Sequence, residues 1–330
     1  MSQTSFPKVS IPPPPEPAAP PRRRRWTVVV AIAVVLVVVA GFAAIAITRS
    51  DRADAQPLSL SFTAGQQRTY AIHQTMDAHV SSPLFGDEPL SMDVTQVVGW
   101  KVVSVDDAGT ATIEITVSEM SGTLNGSEVP STPVPPVRIE IAADGRVLSA
   151  GGIALGGAAG TQGIMFPGMG QLTPILPDAG DAVSVGDTWE KEFSQDFPFG
   201  EGTIEFSASS TYARNETVDG RDAAVIETQM TVPLDVTLDL SQLLDALGPE
   251  LAGSTGPGNL DALAGGTISY DGQGGLTQTS FVDLAAKELL RTQSHGTFDI
   301  SMQLQGIPGV ADTPVEMGFT GTFAQDLELR

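Results

Sequence analysis

The 330-residue chain contains no cysteine. That absence excludes disulfides, thiolate zinc sites, a cysteine nucleophile and a lipid-modified N-terminal cysteine. Histidine is almost missing as well, with three residues in all. His73 and His79 fall on the polar face of one predicted strand, about 20 Å apart at about 3.3 Å per residue, too far to share a metal. His295 lies in "RTQSHGTF", read as a turn leading into a strand, and no G-x-S-x-G elbow exists to pair with it. No glycine-rich phosphate loop follows a strand, and no D-x-D-x-D-G calcium loop occurs. The carboxylates are scattered through turns such as "VDDAG", "FGDEP" and "VDGRD", where Asp stabilises the turn itself. The expectation is a protein that is not an enzyme and holds no cofactor or metal.

Basic residues are also scarce and unevenly placed. Residues 1–50 hold six of the 17, against the single Glu16, and the remainder carries 11 basic and 38 acidic residues. A surface that acidic repels phosphate backbones, so no nucleic acid is expected as a partner.

What the chain does have begins with a long apolar run. Trp26 to Ile47 is free of charge and about 33 Å long as a helix, matching a bilayer core of about 30 Å. Arg22 to Arg25 precede it, whereas "TRSDRAD" follows. The positive-inside rule therefore predicts a single-pass cell-membrane protein with a cytoplasmic N-terminus and an extracytoplasmic C-terminal domain. A signal peptide cleaved after Ala55 is the rival reading, opposed by the length of the run and by the charges before Ala53. The segment 1–25 is proline-rich and expected to be a disordered tail; 48–56 is a linker.

From residue 57 onward, period-two alternation dominates. "LSLSF" alternates over 58–62; Tyr70, Ile72, Met76 and Val80 share a face; Ala111, Ile113, Ile115 and Val117 share another. Met230, Val232, Leu234, Val236, Leu238 and Leu240 repeat the pattern, and Phe298, Ile300, Met302 and Leu304 are answered by Val315, Met317, Phe319 and Phe323. One dry and one wet face per strand predicts antiparallel sheet. "AGQQRTYAIHQ" from Ala64 pairs with "VGDTWEKEFSQ" from Val185, "VVSVDDAGTATIEITV" from Val102 with "ARNETVDGRDAAVIETQMTV" from Ala213, and "IEIAADGRVLSA" from Ile139 with "ISYDGQGGLTQTS" from Ile268. The predicted fold is thus mainly β: a large curved, half-barrel-like antiparallel sheet over 57–330. It would hold two similar units, about 57–155 and 183–285, a C-terminal hairpin at about 295–330 and short helical insertions, preceded by one transmembrane helix.

Two segments break the β pattern. "GIMFPGMGQLTPILPDAG", residues 163–180, is apolar and rich in Met, Gly and Pro, which rules out a continuous membrane helix. In the other, Ser241 can cap a short helix carrying Leu243, Leu244 and Leu247, stopped at Gly248-Pro249. Met165, Phe166, Met169, Leu172, Ile175 and Leu176, with those three leucines, are the candidates for an apolar groove or its lid, since flexible thioethers adapt to irregular partners. The bland alternative is that they complete the core.

An anchor, a G-x-x-x-x-aromatic strand entry, long antiparallel strands and Leu/Met-rich insertions resemble bacterial envelope proteins of unknown function. They also resemble the LolA-like half-barrel carriers of lipid and lipoprotein, and the Ala, Val, Gly, Asp and Pro usage is similar to that of actinobacteria. LolA-like carriers are single half-barrels, whereas this chain reads as two tethered units. The resemblance implies binding of an apolar or lipid-like envelope ligand; the alternative is a protein-interaction or structural module of the envelope.

Overall fold

The computed structural model describes residues 55–83, 86–129, 136–151, 172–196, 200–201, 203–241, 265–306 and 313–330. The expected tail and span at 1–47 lie outside these. Among the described residues no helix is long and apolar enough to cross a membrane. Arg52–Arg330 forms a compact unit.

The strands are β1 (Gln56–Pro57), β2 (Gln67–Ser82), β3 (Gly86–Val105), β4 (Ala111–Leu124), β5 (Ser127–Glu128), β6 (Val137–Ile141), β7 (Val147–Gly151) and β8 (Ala182–Val183). They continue as β9 (Thr188–Asp196), β10 (Gly200–Glu201), β11 (Thr203–Val218), β12 (Arg221–Asp239), β13 (Thr267–Asp283), β14 (Leu289–Gln305) and β15 (Val315–Leu329). Thirteen of them form one curved antiparallel half-barrel sheet, ordered β7-β6-β4-β3-β2-β15-β14-β13-β12-β11-β9, with β5 beside β4 and β10 beside β12. β1 and β8 pair separately. Two meanders therefore meet where β2 pairs with β15, and each runs outward to an edge, β7 on one side and β9 on the other.

The predicted alternation holds along the long strands. On β12 the apolar phase from Met230 to Leu238 is 1–3% exposed, while the intervening Thr231, Pro233, Asp235 and Thr237 are more exposed. Two glycines sit beneath aromatic rings where β14 meets β15. Phe298 lies opposite Gly321 and Phe323 opposite Gly296 on β14 and β15, so each ring covers a position with no side chain.

Several local expectations are corrected. "LSLSF" alternates in burial, with Leu58 and Leu60 buried, but forms no ladder. Instead the Leu60 N–H donates to the Ala143 carbonyl and the Ser61 N–H to Lys287, so this extended piece is held by two turns. His295 is mid-strand on β14, opposite Ala324, and not in a turn. Asp239, not Ser241, caps the helical turn at Leu240–Ser241: its carboxylate accepts the Ser241 N–H at 2.8 Å. The first two sequence pairings fall on β2 with β9 and on the β3–β4 turn with the β11–β12 turn. In the third, a β6–β7 hairpin stands against the uninterrupted β13, so it is not a structural match.

Candidate functional site

Inner-facing residues form two clusters stacked along the strands. Cluster 1 holds Met76, Met92, Met230, Met302 and Met317, with Phe206, Phe298, Phe319 and Phe323, and Met120 packs against it. Cluster 2 holds Leu58, Tyr70, Trp100, Ile113, Tyr212, Ile226 and Leu327 and contains no methionine. Every methionine of the described strands thus faces one end of the half-barrel.

Between the clusters runs a belt of uncharged polar side chains at a single register. Ser210 faces Thr228, Thr228 faces Gln278, Gln278 faces Ser294, Ser294 faces Gln325 and Gln325 faces Gln74. Ser280, Thr292 and Gln96 join it, and apart from the half-buried Gln74 no member is more than 5% exposed. Hydroxyl pairs link Ser210 with Thr228 at 2.9 Å and Ser280 with Thr292 at 3.2 Å, and the Gln96 amide donates to Gln74 at 3.5 Å. The Ser294 hydroxyl is buried with no hydrogen-bond partner.

Along the five central strands this face carries no charged side chain over the inner positions of 70–80, 224–240, 268–282, 292–304 and 315–329. Its ionisable groups are phenols kept neutral: burial, helped by the negative charge of Glu288, pushes Tyr70 well above its ordinary value, and burial pushes Tyr270 up to about 12.

The charges are segregated along the strands as well. Of the ten described basic residues, nine lie on the cluster 2 side of the belt, and Lys191 sits one inner position beyond it. The cluster 1 side carries Asp77, Asp87, Glu88, Asp235, Asp271 and Asp299 with no basic residue but that one. His73 and His79 are exposed on the outer face, His73 beside Asp93 at 3.0 Å. His295 lines an open trough of about 550 Å³ with Asp77 and the threonines 75, 277, 297 and 322, and Met230, Leu276 and Phe323 also border it. Among the described residues no group of three or more His or acidic side chains could hold a metal.

Of the nine candidates named from the sequence, Leu172, Ile175 and Leu176 are described; Met165, Phe166, Met169, Leu243, Leu244 and Leu247 lie outside the described residues. Ile175 and Leu176 are both fully buried, but in opposite directions: Ile175 belongs to cluster 1 and Leu176 to cluster 2, with Leu172 packed beside it. Each contributes about 2 kcal/mol of burial. They sit on a strap, residues 172–178, that ties the two edges of the sheet together. At the β6–β7 turn the Leu176 N–H donates to the Asp144 carbonyl and the Thr173 hydroxyl to the Gly145 carbonyl. At β9 the Trp189 indole N–H donates to the Ile175 carbonyl at 3.1 Å. Lys191 then joins both sides, contacting Asp144 at 3.4 Å and Asp178 more closely, while Arg146 holds Asp144 at 2.7 Å.

Trp189→Phe should cost about 1 kcal/mol in chemical denaturation, because it leaves the Ile175 carbonyl unpaired without emptying the ring's space. The strap should also respond to acid. The hydrogen bond from Lys191, then its charge, hold the Asp178 carboxyl below its ordinary value. A depressed carboxyl stabilises the fold above its unfolded-state pKa and loses that contribution as pH falls through the lower folded value. The Lys191–Asp178 link should therefore persist at neutral pH and break only below the ordinary aspartate range, about 4. Trp189 emission, taken as the difference between wild type and Trp189→Phe, reports the midpoint; a midpoint above that range contradicts the assignment.

No protein-family model matches the chain. No curated protein matches it either. Among solved structures it is similar to DynF from the dynemicin biosynthesis pathway of Micromonospora chersina, at 10% identity over 83% of this chain and 85% of that one, with a TM-score of 0.21. A putative outer membrane lipoprotein-sorting protein domain from Vibrio parahaemolyticus aligns at 10% identity over 76% and 83%, with a TM-score of 0.15. A LolA superfamily protein from Nitrosomonas europaea aligns at 10% over 82% and 89%, with a TM-score of 0.14. The scores are far too low to transfer a ligand or a site.

Proposed function

We propose that this chain is a membrane-anchored extracytoplasmic binding domain whose concave face holds an apolar or lipid-like envelope molecule without reacting with it. Trp26 to Ile47 is the anchor, and the N-terminus lies in the cytoplasm. The observation that carries this reading is the gathering of all five buried strand methionines into cluster 1, on a face whose five central strands carry no charge. A structural core gains little from that segregation, since methionine specifies packing poorly, whereas a surface that refits around an apolar guest gains from it. The strap closes the same face from its rim: it ties β9 to the β6–β7 turn at the sheet's two edges by hydrogen bonds and ion pairs and seats Ile175 and Leu176 in the two clusters.

Native mass spectrometry of Arg52–Arg330, purified without detergent, tests this. A bound species of lipid mass that is lost on organic extraction, with a fall in Tm, is expected. A homogeneous apo protein that fails to take up added lipid overturns it.

A second reading, a docking module for an envelope protein, is favoured by Leu148 on β7 and Val185 just before β9, which are 44% and 51% exposed at the two edges. Crosslinking in membranes from those positions would capture one specific partner if it held.

A further inference from the structure

The buried belt bears on what kind of molecule the concave face takes. Seven neighbouring strands place Ser, Thr or Gln at the waist of an otherwise apolar wall, at positions where the strand pattern calls for Val or Leu. Each such group costs stability unless its hydrogen bonds are made. Cross-strand pairs satisfy part of the belt, but the Ser294 hydroxyl, only 5% exposed, has none. This unpaired hydroxyl stands in the middle of the row, on the inner side of β14.

We propose that the ligand is a neutral amphipath: an acyl chain lying against the methionines of cluster 1, with an uncharged hydroxyl, ester or amide group at the belt, bonded to Ser294. This rests on the reading of the preceding subsection and narrows it. Neutrality follows from the wall itself. The inner face of the five central strands holds no cation to receive a carboxylate or phosphate and no carboxylate to receive an ammonium, and Lys191 on β9 is already paired with Asp144 and Asp178, so a charged group there would be desolvated without a counter-ion. A pure hydrocarbon, for its part, would leave Ser294 unpaired.

The full chain in nanodiscs, photolabelled with a diazirine-bearing lauroyl glycerol, tests the proposal against three competitors at equal mole fraction: monolauroylglycerol, laurate and dodecane. Labelling should map to β12–β15. Monolauroylglycerol should compete about tenfold better than dodecane, the gain of one or two hydrogen bonds in a dry site, and better than laurate. Ser294→Ala should cut that advantage to about threefold or less while leaving Tm unchanged or raised, because it deletes a group with no partner in the protein. Gln325→Leu, on the next strand, should act the same way on the competition ratio and guards against an effect peculiar to one variant. Equal competition by dodecane, stronger competition by laurate, or an unchanged ratio in both variants overturns the proposal while leaving an apolar site standing. Absence of any specific labelling overturns the binding reading itself, and the proposal with it.

Discussion

Gly145→Ala should loosen the strap and lower stability by about 4 kcal/mol. Gly145 has φ of +87° in the β6–β7 turn, a conformation that costs an L-residue about 1–2 kcal/mol by itself. A methyl group there would stand 1.8 Å from the Pro174 carbonyl oxygen, inside any permissible contact and against backbone that cannot rotate away. The strap would have to withdraw. Withdrawal breaks the Leu176 N–H bond to Asp144 and the Thr173 bond to Gly145, and pulls two fully buried side chains off both clusters. Urea denaturation measures the loss, and hydrogen exchange at Leu176 should rise with it. A variant as stable as wild type would mean that the strap is not seated as described.

Gly296→Val should be nearly as damaging, at about 3 kcal/mol or more. Its added Cβ would lie 2.3 Å from the Gly275 carbonyl oxygen and 2.6 Å from the Phe323 ring, so it collides with a neighbouring strand and with the aromatic that covers it. The ring can be moved only by abandoning its place in cluster 1. Gly321→Val is the mirror experiment, with Phe298 at 2.7 Å and the Asp77 carbonyl oxygen at 2.6 Å. If the two pairs act as one unit, the double substitution should cost less than the sum, since the first already displaces the local sheet. Thermal unfolding of the three variants decides it.

Much of this architecture was legible in the residues. Alternation from Tyr70 to Val80 and from Met230 to Leu240 marks strands and their dry faces, because a pleated backbone sends successive side chains to opposite sides. The belt was legible too, as polar residues standing in the apolar phase: Gln74 between Ile72 and Met76, Thr228 between Ile226 and Met230, Gln325 between Phe323 and Leu327. Nothing in one strand says, however, that these interruptions share a register. That emerges only when β2 pairs with β15, whose paired residues lie 237 or more positions away. The same limit explains "LSLSF". Its burial alternates as a strand's would, yet its backbone is met by turn carbonyls and no neighbouring strand is there. Of the apolar stretch 163–180, read as unsuited to a continuous helix, the described part from residue 172 onward is not helical. The choice between core and lid could not be made locally, because Ile175 and Leu176 are adjacent in sequence and enter different clusters. Trp189, Lys191 and Asp144, which seat the strap, carried no signal beyond residue type.

The uneven spread of basic residues also bears on how a guest arrives. With nine of ten described cations on one side of the belt and only carboxylates beyond Lys191 on the other, the methionine end projects a negative potential into solvent. That field reaches about 8 Å at physiological ionic strength and about 30 Å at 0.01 M. Fatty acids and anionic phospholipids would be slowed before touching the protein, and neutral molecules would not. Discrimination by charge would then begin at the encounter, in the association rate, and should sharpen as salt is withdrawn.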